Sequence, residues 1–269
     1  MKRFLKFILP FGVIDLVQNR RKLGNIGRRL SVTEFLNSDR IALDAELSGL
    51  ALFAPGHAGK LRNIVDVGAN VGQWSSMLLN CVTPERLIVI EPMPEAFAVL
   101  RQKFRTDRRI ELHNLAIGER ESVETLKITR DTTGASLLHP LEEMRAVIGS
   151  NWTITSEVQV KMTTLDRLLV DLPEVSLLKI DVQGYEKPVL AGARQTLAKT
   201  KFILIELNFM SQYDGGSWLG EIHQILTRDL GFFLANASAP QILNGRASMV
   251  DGLYVNPNLV HEWVKLDFV

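Results

Sequence analysis

Short, uniformly apolar runs alternate with amphipathic stretches through the middle of the chain, and this rhythm limits the possible folds more than any other property. NIVDVG (63–68) precedes QWSSMLLNCV (73–82), and RLIVIEP (86–92) precedes PEAFAVLRQKF (94–104). SLLKIDV (176–182) precedes KPVLAGARQTLAK (187–199), and KFILIEL (201–207) precedes GSWLGEIHQILTRDL (216–230). Strands apolar on both faces, each followed by a helix, predict a parallel sheet covered on both sides. That is an α/β doubly wound fold, with ligands expected at the carboxyl ends of the strands. IELHNLAIG (110–118) and SVETLKITR (122–130) read as further strands. GFFLANA (231–237) and MVDGLYVNP (249–257) are joined by a turn from Pro240 to Arg246, too short for a helical crossover, so these two should pair antiparallel.

The segment 131–164 breaks the alternation. It reads as a lid or acceptor loop with a short helix around LEEMRAVIG, followed by a strand, EVQVKMTTL, that leads to Asp166. The chain therefore divides into an N-terminal helical extension (1–60) and a main α/β domain (61–269). The opening, MKRFLKFILPFGVIDLVQNRRK, sets apolar residues between basic ends. Lys6, Pro10 and Asp15 interrupt the apolar part, which is too short to span a bilayer. An amphipathic segment packed on the body of the protein is one reading, a peripheral membrane or partner contact with a basic flank is a second, and a cleaved signal is the third.

Composition narrows the function classes. A formal net charge of +1 gives no global basic field to recruit nucleic acid, so none is expected as a partner. The one cysteine, Cys81, rules out an intramolecular disulfide and is compatible with a reducing, cytoplasmic compartment. Five histidines are scattered without metal-binding spacing.

The glycine-bearing turn IVDVGANVGQW (64–74) asks for a ligand. A nicotinamide-type fingerprint needs G-x-G-x-x-G; here the order is Asp66, Gly68, Asn70, Gly72, with the second glycine replaced and the third one place early. An aspartate two residues before the turn does not suit a pyrophosphate. It suits S-adenosylmethionine, which carries an ammonium and a sulfonium and no phosphate. Glu91, followed by Pro92, ends the next strand, where a carboxylate can accept both hydroxyls of a ribose. Asn114 and Ala116 close a third strand beside the place of an adenine. In LLKIDVQGYEKPVLAGA (177–193), Asp181 ends a buried strand and is followed by Gln183, Gly184 and Glu186. Glu206 and Asn208 end the next strand at the same rim. Trp74 and Met77 read as packing residues of the first helix.

These motifs, VDVGANVGQW, VIEPMPEAFAVL, HNLAIG, TLDRLL, LLKIDVQGYEKPVLAGA and FILIELNF, resemble in order and spacing those of the FkbM-type S-adenosylmethionine-dependent methyltransferases. The resemblance covers roughly residues 60–235. It implies a class I methyltransferase fold, a seven-stranded sheet with an antiparallel last strand, and O-methylation of hydroxyls on sugars, glycolipids or related natural products. By that resemblance Asp66, Gly68, Asn70 and Gly72 form the cofactor loop, Glu91 holds the ribose and Asn114 to Ala116 flank the adenine. Asp181 would face the methionine moiety or the acceptor, and Ser136 belongs to a serine-containing stretch before the lid.

Transfer to oxygen requires alignment of the acceptor and often removal of its proton. Asp181 is the leading candidate for base or metal ligand. Asp181, Glu206 and Asn208 together would make an oxygen-rich site for Mg2+, or equally would bind substrate hydroxyls. His139, in the lid, is the alternative base or else a solvated loop residue. Tyr185, Tyr213 and Trp218 either stack on a sugar or pack helices. The competing functional reading is a non-catalytic protein of the same fold that binds cofactor or partner.

Overall fold

The strands at the centre of the protein are apolar on both faces because two separate layers of helices cover them. In the computed structural model, residues 61–260 are described; the N-terminal extension, with its expected helices and membrane contact, lies outside them. The main sheet contains β1 (Asn63–Val67), β2 (Arg86–Ile90), β3 (Ile110–His113), β7 (Val175–Ile180), β8 (Thr200–Asn208), β9 (Phe233–Ala237), β10 (Gln241–Leu243) and β11 (Arg246–Val255). Its order is β10-β11-β8-β7-β1-β2-β3, with β9 also pairing β11. β3, β2, β1, β7 and β8 run parallel. β11 runs antiparallel to β8 and to β9.

The alternation of side chains divides the core in two. Val65, Val67, Ile88, Ile90, Leu178, Ile180, Ile203 and Ile205 face one layer. Ile64, Leu87, Val89, Leu177, Phe202 and Leu204 face the other. The second face is covered by α1 (Gln73–Cys81) through Trp74 and Leu78, and by α2 (Pro94–Lys103) through Leu100. The first is covered by α4 (Leu165–Leu168), α5 (Glu186–Ala191), α6 (Arg194–Ala198) and α7 (Leu219–Gln224), which contribute Leu165, Val189, Leu190, Leu197 and Ile222. Helix α3 (Glu142–Ile148) lies in the insertion described next.

Three details depart from the sequence expectations. The sheet has eight strands rather than seven, because Gln241–Leu243 within the turn pairs with the start of β11 as a short extra edge. IELHNLAIG is two strands rather than one: β3 stops at His113, and β4 (Ala116–Ile117) joins a separate three-stranded sheet. In that sheet β6 (Ile154–Thr163) lies between β4 and β5 (Ser122–Thr129), with β5 antiparallel to it. The second half of the expected lid is thus the partner strand of β5, and its inner face packs Val160 and Met162 with Leu126 and Met93.

Strand order reverses between β7 and β2, which lie on opposite sides of β1, so a crevice opens at the carboxyl ends of β1 and β7. Gly72, at the start of α1, has φ +72°, and a Cβ there would lie 2.6 Å from Leu100 and 2.9 Å from Phe104. Gly72→Ala is therefore expected to cost about 2 kcal/mol from overpacking and backbone strain. Urea unfolding measures this, and an unchanged midpoint would contradict the packing described.

Candidate active site

The first turns after β1 and β7 touch through their main chains. Asp181 N–H donates to the Val67 carbonyl at 3.1 Å, continuing the ladder beyond β7. Gly68, with φ +80°, sits so close that a Cβ would fall 1.7 Å from the Asp181 carbonyl oxygen. No other side chain fits that approach. On the other side, the N–H groups of Gly68 and Ala69 both donate to the Ile90 carbonyl, at 3.0 and 3.1 Å. The turn is thereby fixed to the ends of three neighbouring strands.

Over these strand ends lies a cavity of about 370 Å³, within the range of small-molecule sites. Gly68, Asn70, Glu91, Pro92, Ala116 and Asp181 all line it, as do Ser136 and Tyr185. Glu91 is buried, and its two carboxylate oxygens accept from Asn70 N–H at 2.7 Å and Met93 N–H at 2.8 Å. Burial pushes its carboxyl up to about 7 against those hydrogen bonds, which favour the charged form. Asn70, with φ +49°, bonds Val71 N–H through its own side-chain oxygen and reaches the Thr132 carbonyl through its nitrogen. Asn114 is not in the cavity wall; its amide donates to the carbonyls of Glu91 and Pro92 and holds that corner, while Leu115, Ala116 and Ile117 form the wall.

Asp66 also departs from expectation. It is fully buried and does not line the cavity. One oxygen accepts from Ser75 Oγ at 2.6 Å, and the other lies 3.8 Å from Lys179 Nζ. Burial pushes its carboxyl up, opposed by the lysine. Its charge thus faces a lysine within the protein rather than the cavity. Gly72, likewise outside the wall, serves helix packing.

The expected oxygen-rich cation site does not form. Gln183, in the left-handed region at φ +54°, places its amide nitrogen between Asp181 and Glu206, donating to Asp181 Oδ1 at 2.9 Å and Glu206 Oε2 at 3.1 Å. Asn208 presents its nitrogen rather than its oxygen to Glu206, at 2.9 Å, and its oxygen accepts from Gln212. Among the described residues no group of three or more His, Cys, Asp or Glu could hold a metal ion. These donors do not fit Mg2+. Glu206 is buried behind the cavity, and burial with the charges of Asp181 and Glu186 pushes its carboxyl well up, so it is not an accessible base. His139 is exposed and outside the cavity wall, which removes it as a base in this structure.

Several contributors were not singled out from the sequence. Lys179, buried on β7, lines the cavity with its ammonium 3.1 Å from Asp181 Oδ2. Trp74, expected only to pack, also lines it, and its indole N–H is buried without a hydrogen-bond acceptor. The signal for Lys179 was present: a lysine in the middle of SLLKIDV has no packing rationale. Glu186 folds back on the turn and accepts from Gly184 N–H at 3.0 Å; burial pushes its carboxyl up to about 7. Tyr213 is buried beside Trp152, whereas Trp218 is exposed. Only Tyr185 of the three aromatic candidates reaches the cavity.

A parallel sheet with an antiparallel strand inserted near its end, and a nucleoside-sized cavity at the switch point, defines the class I methyltransferase fold. Residues 66–234 match the methyltransferase FkbM domain, and the chain belongs to that family. It is 28% identical over 56% of its length to the 2-O-methyltransferase NoeI of Sinorhizobium fredii, covering 65% of that protein. It is 28% identical over 48% of its length to Methyltransferase 1 of Beauveria bassiana, covering 57% of it. It is 23% identical over 53% of its length to the hexuronic acid methyltransferase AglP of Haloferax volcanii, covering 54% of it. The chain thus spans less than two thirds of each of these relatives. No helix among the described residues is long and apolar enough to cross a membrane.

The buried acids set a pH dependence. Glu91 and Glu186 each hold a proton to about pH 7 in the folded protein, against an ordinary value of 4.5. Their folded values are raised, so the stability they contribute is full below the unfolded value and is lost as pH rises toward 7. Unfolding free energy of the unliganded chain should fall between about pH 5 and about pH 8, and Glu91→Gln should remove roughly 3 kcal/mol of that fall at most. Urea titrations of both proteins across the window check this; parallel profiles would refute the assignment to Glu91.

Proposed function

We propose that the protein is an S-adenosylmethionine-dependent O-methyltransferase acting on a hydroxyl of a sugar, glycolipid or related natural product. The observation that carries this reading is the constellation at the switch point. A carboxylate, Glu91, ends the strand beside the glycine turn, an apolar wall of Leu115, Ala116 and Ile117 lies next to it, and Asp181 stands at the end of β7. These groups match, in turn, a ribose diol, an adenine and the reacting end of such a cofactor. Similarity to the 2-O-methyltransferase NoeI and the hexuronic acid methyltransferase AglP supports the acceptor class.

When bound, S-adenosylmethionine supplies an electrophilic methyl group on a sulfonium. Glu91 would accept hydrogen bonds from the ribose hydroxyls, and Asn70 N–H keeps that carboxylate aimed. Leu115, Ala116 and Ile117 would exclude water from the adenine. Asp181 would accept a hydrogen bond from the acceptor hydroxyl and take its proton. Lys179 and Gln183 fix the orientation of that carboxylate. Residues 132–137 supply the opposite wall, on the side where the acceptor enters.

Incubation with methyl-labelled S-adenosylmethionine and a panel of glycans bearing neutral, amino and acidic sugars tests the reading. Label should appear in at least one acceptor, as a methyl ether. Asp181→Asn should lower turnover by roughly 100-fold or more while changing cofactor affinity much less. Saturable cofactor binding with no transfer across the panel would favour a non-catalytic binding protein, and unchanged turnover in Asp181→Asn would remove that residue from the chemistry.

A further inference from the structure

The run RQKFRTDRR (101–109) carries five basic residues and one aspartate, a local charge of +4 in a chain whose total is +1. It spans the last turn of α2 and the approach to β3. Two of the five cations are used within the protein. Lys103 turns inward and donates to the Val71 carbonyl at 2.5 Å, and Arg109 holds Asp107 through hydrogen bonds of 2.9 and 2.6 Å. Arg101, Arg105 and Arg108 are exposed, and no hydrogen bond or ion pair holds them among the described residues. Elsewhere on the surface Arg62, Arg86, Arg120 and Arg167 each meet a glutamate.

Those three arginines rim a groove of about 570 Å³ whose floor is apolar, built from Phe97, Phe104, Ile110 and Leu112. The groove is open because β3 is the last strand of the sheet, which leaves Ile110 and Leu112 half-buried. Phe97, Arg101, Arg105 and Arg108 follow at steps of four, four and three, which sets apolar surface and charge on one face. Asp107, the one acid in the wall, is already neutralised by Arg109. A soluble polyanion would meet the arginines and leave the floor wet. A nucleic-acid strand needs an open ring to stack on, and here Phe104 is buried and Phe97 half-buried. A lipid of an anionic bilayer meets both parts, its phosphate against the guanidinium groups and its glycerol and upper acyl chain against the floor.

We propose that this groove is a docking surface for an anionic lipid bilayer, with Arg101, Arg105 and Arg108 on the lipid phosphates. It shares no residue with the cavity and stands whatever ligand the cavity takes. The two are nevertheless braced together. Lys103 and Phe104 hold the turn at Val71 and Gly72 from the α2 side, and Val71 lines the cavity. Docking through α2 therefore keeps the cavity near the bilayer surface, where a glycolipid acceptor is presented.

Vesicle flotation of the full chain tests the proposal without cofactor or acceptor. The wild type should float with vesicles of equimolar phosphatidylcholine and phosphatidylglycerol and stay behind with phosphatidylcholine alone, and added salt should release it. The triple variant Arg101→Gln/Arg105→Gln/Arg108→Gln should partition roughly 100-fold more weakly, about fivefold for each arginine. Its urea midpoint should match the wild type's, because the three side chains are exposed and unpaired. Arg105→Gln and Arg108→Gln, each beyond the end of α2, carry the comparison singly where the triple variant fails to fold. Binding that ignores lipid charge, or that survives in the triple variant, would overturn the proposal and place any membrane contact outside the groove. Absence of binding to either vesicle would also overturn it, and calorimetric binding of inorganic polyphosphate in that case would give the groove to a soluble polyanion.

Discussion

The main-chain contact between Gly68 and Asp181 is the constraint from which the rest of the site follows. Two parallel strands of a sheet end side by side, and the next residues must diverge to opposite faces because their helices lie on opposite sides. At that point the chains are closer than any side chain allows, which is why the residue after Val67 has no Cβ. Bringing the turns so close aims the backbone of 68–71 across the strand ends. It also sets Glu91, which accepts from Asn70 N–H, and Asp181 at two places on one rim. A larger residue at Gly68 would open β1 from β7 and separate these groups before altering any of their chemistry.

Charge is managed in layers beneath that rim. Four carboxyl groups, Asp66, Glu91, Glu186 and Glu206, are buried and shifted upward, and each is met by different partners. Backbone N–H groups meet Glu91 and Glu186, side-chain amides meet Glu206, and a hydroxyl with a lysine meets Asp66. The result is that one carboxylate, Asp181, half-exposed between Lys179 and Gln183, carries most of the polarity at the centre of the cavity. Buried acids of this kind do not stabilise the fold on their own account. They hold turns, and the turns hold the cavity.

The alternation of apolar runs and helices made the sheet legible in the sequence, because a period of two and a period near four are local properties. Glu91 and Asp181 were legible for the same reason: each follows directly on an apolar strand. What failed was anything dependent on which atoms meet across strands. Asp66 looked like an exposed acid at a turn because register with Lys179 is invisible in a linear reading. Glu206, Asn208 and Asp181 looked like a cation site because composition does not say that Gln183 would turn its nitrogen between the two acids. His139 lay in a segment whose path depends on the β5–β6 pairing, and although both strands could be read, their pairing could not.

The insertion that carries β6 is tied to the tripeptide bearing Asp181. Ser136 Oγ donates to the Gln183 carbonyl at 2.7 Å, and Lys127 and Ser136 exchange backbone hydrogen bonds across the turn. Tyr213 reaches both the Gly134 carbonyl and the side-chain oxygen of Gln183, at 3.1 and 3.0 Å, donating to one at a time. Gln183 therefore joins the wall that carries Ser136, the Asp181 carboxylate and the buried acid Glu206 through one residue. A change in the wall at 132–137 must be transmitted to Asp181, and the reverse also holds. Packing of that wall and orientation of the Asp181 carboxylate are for that reason a single property of this cavity, and variation in the insertion changes both together.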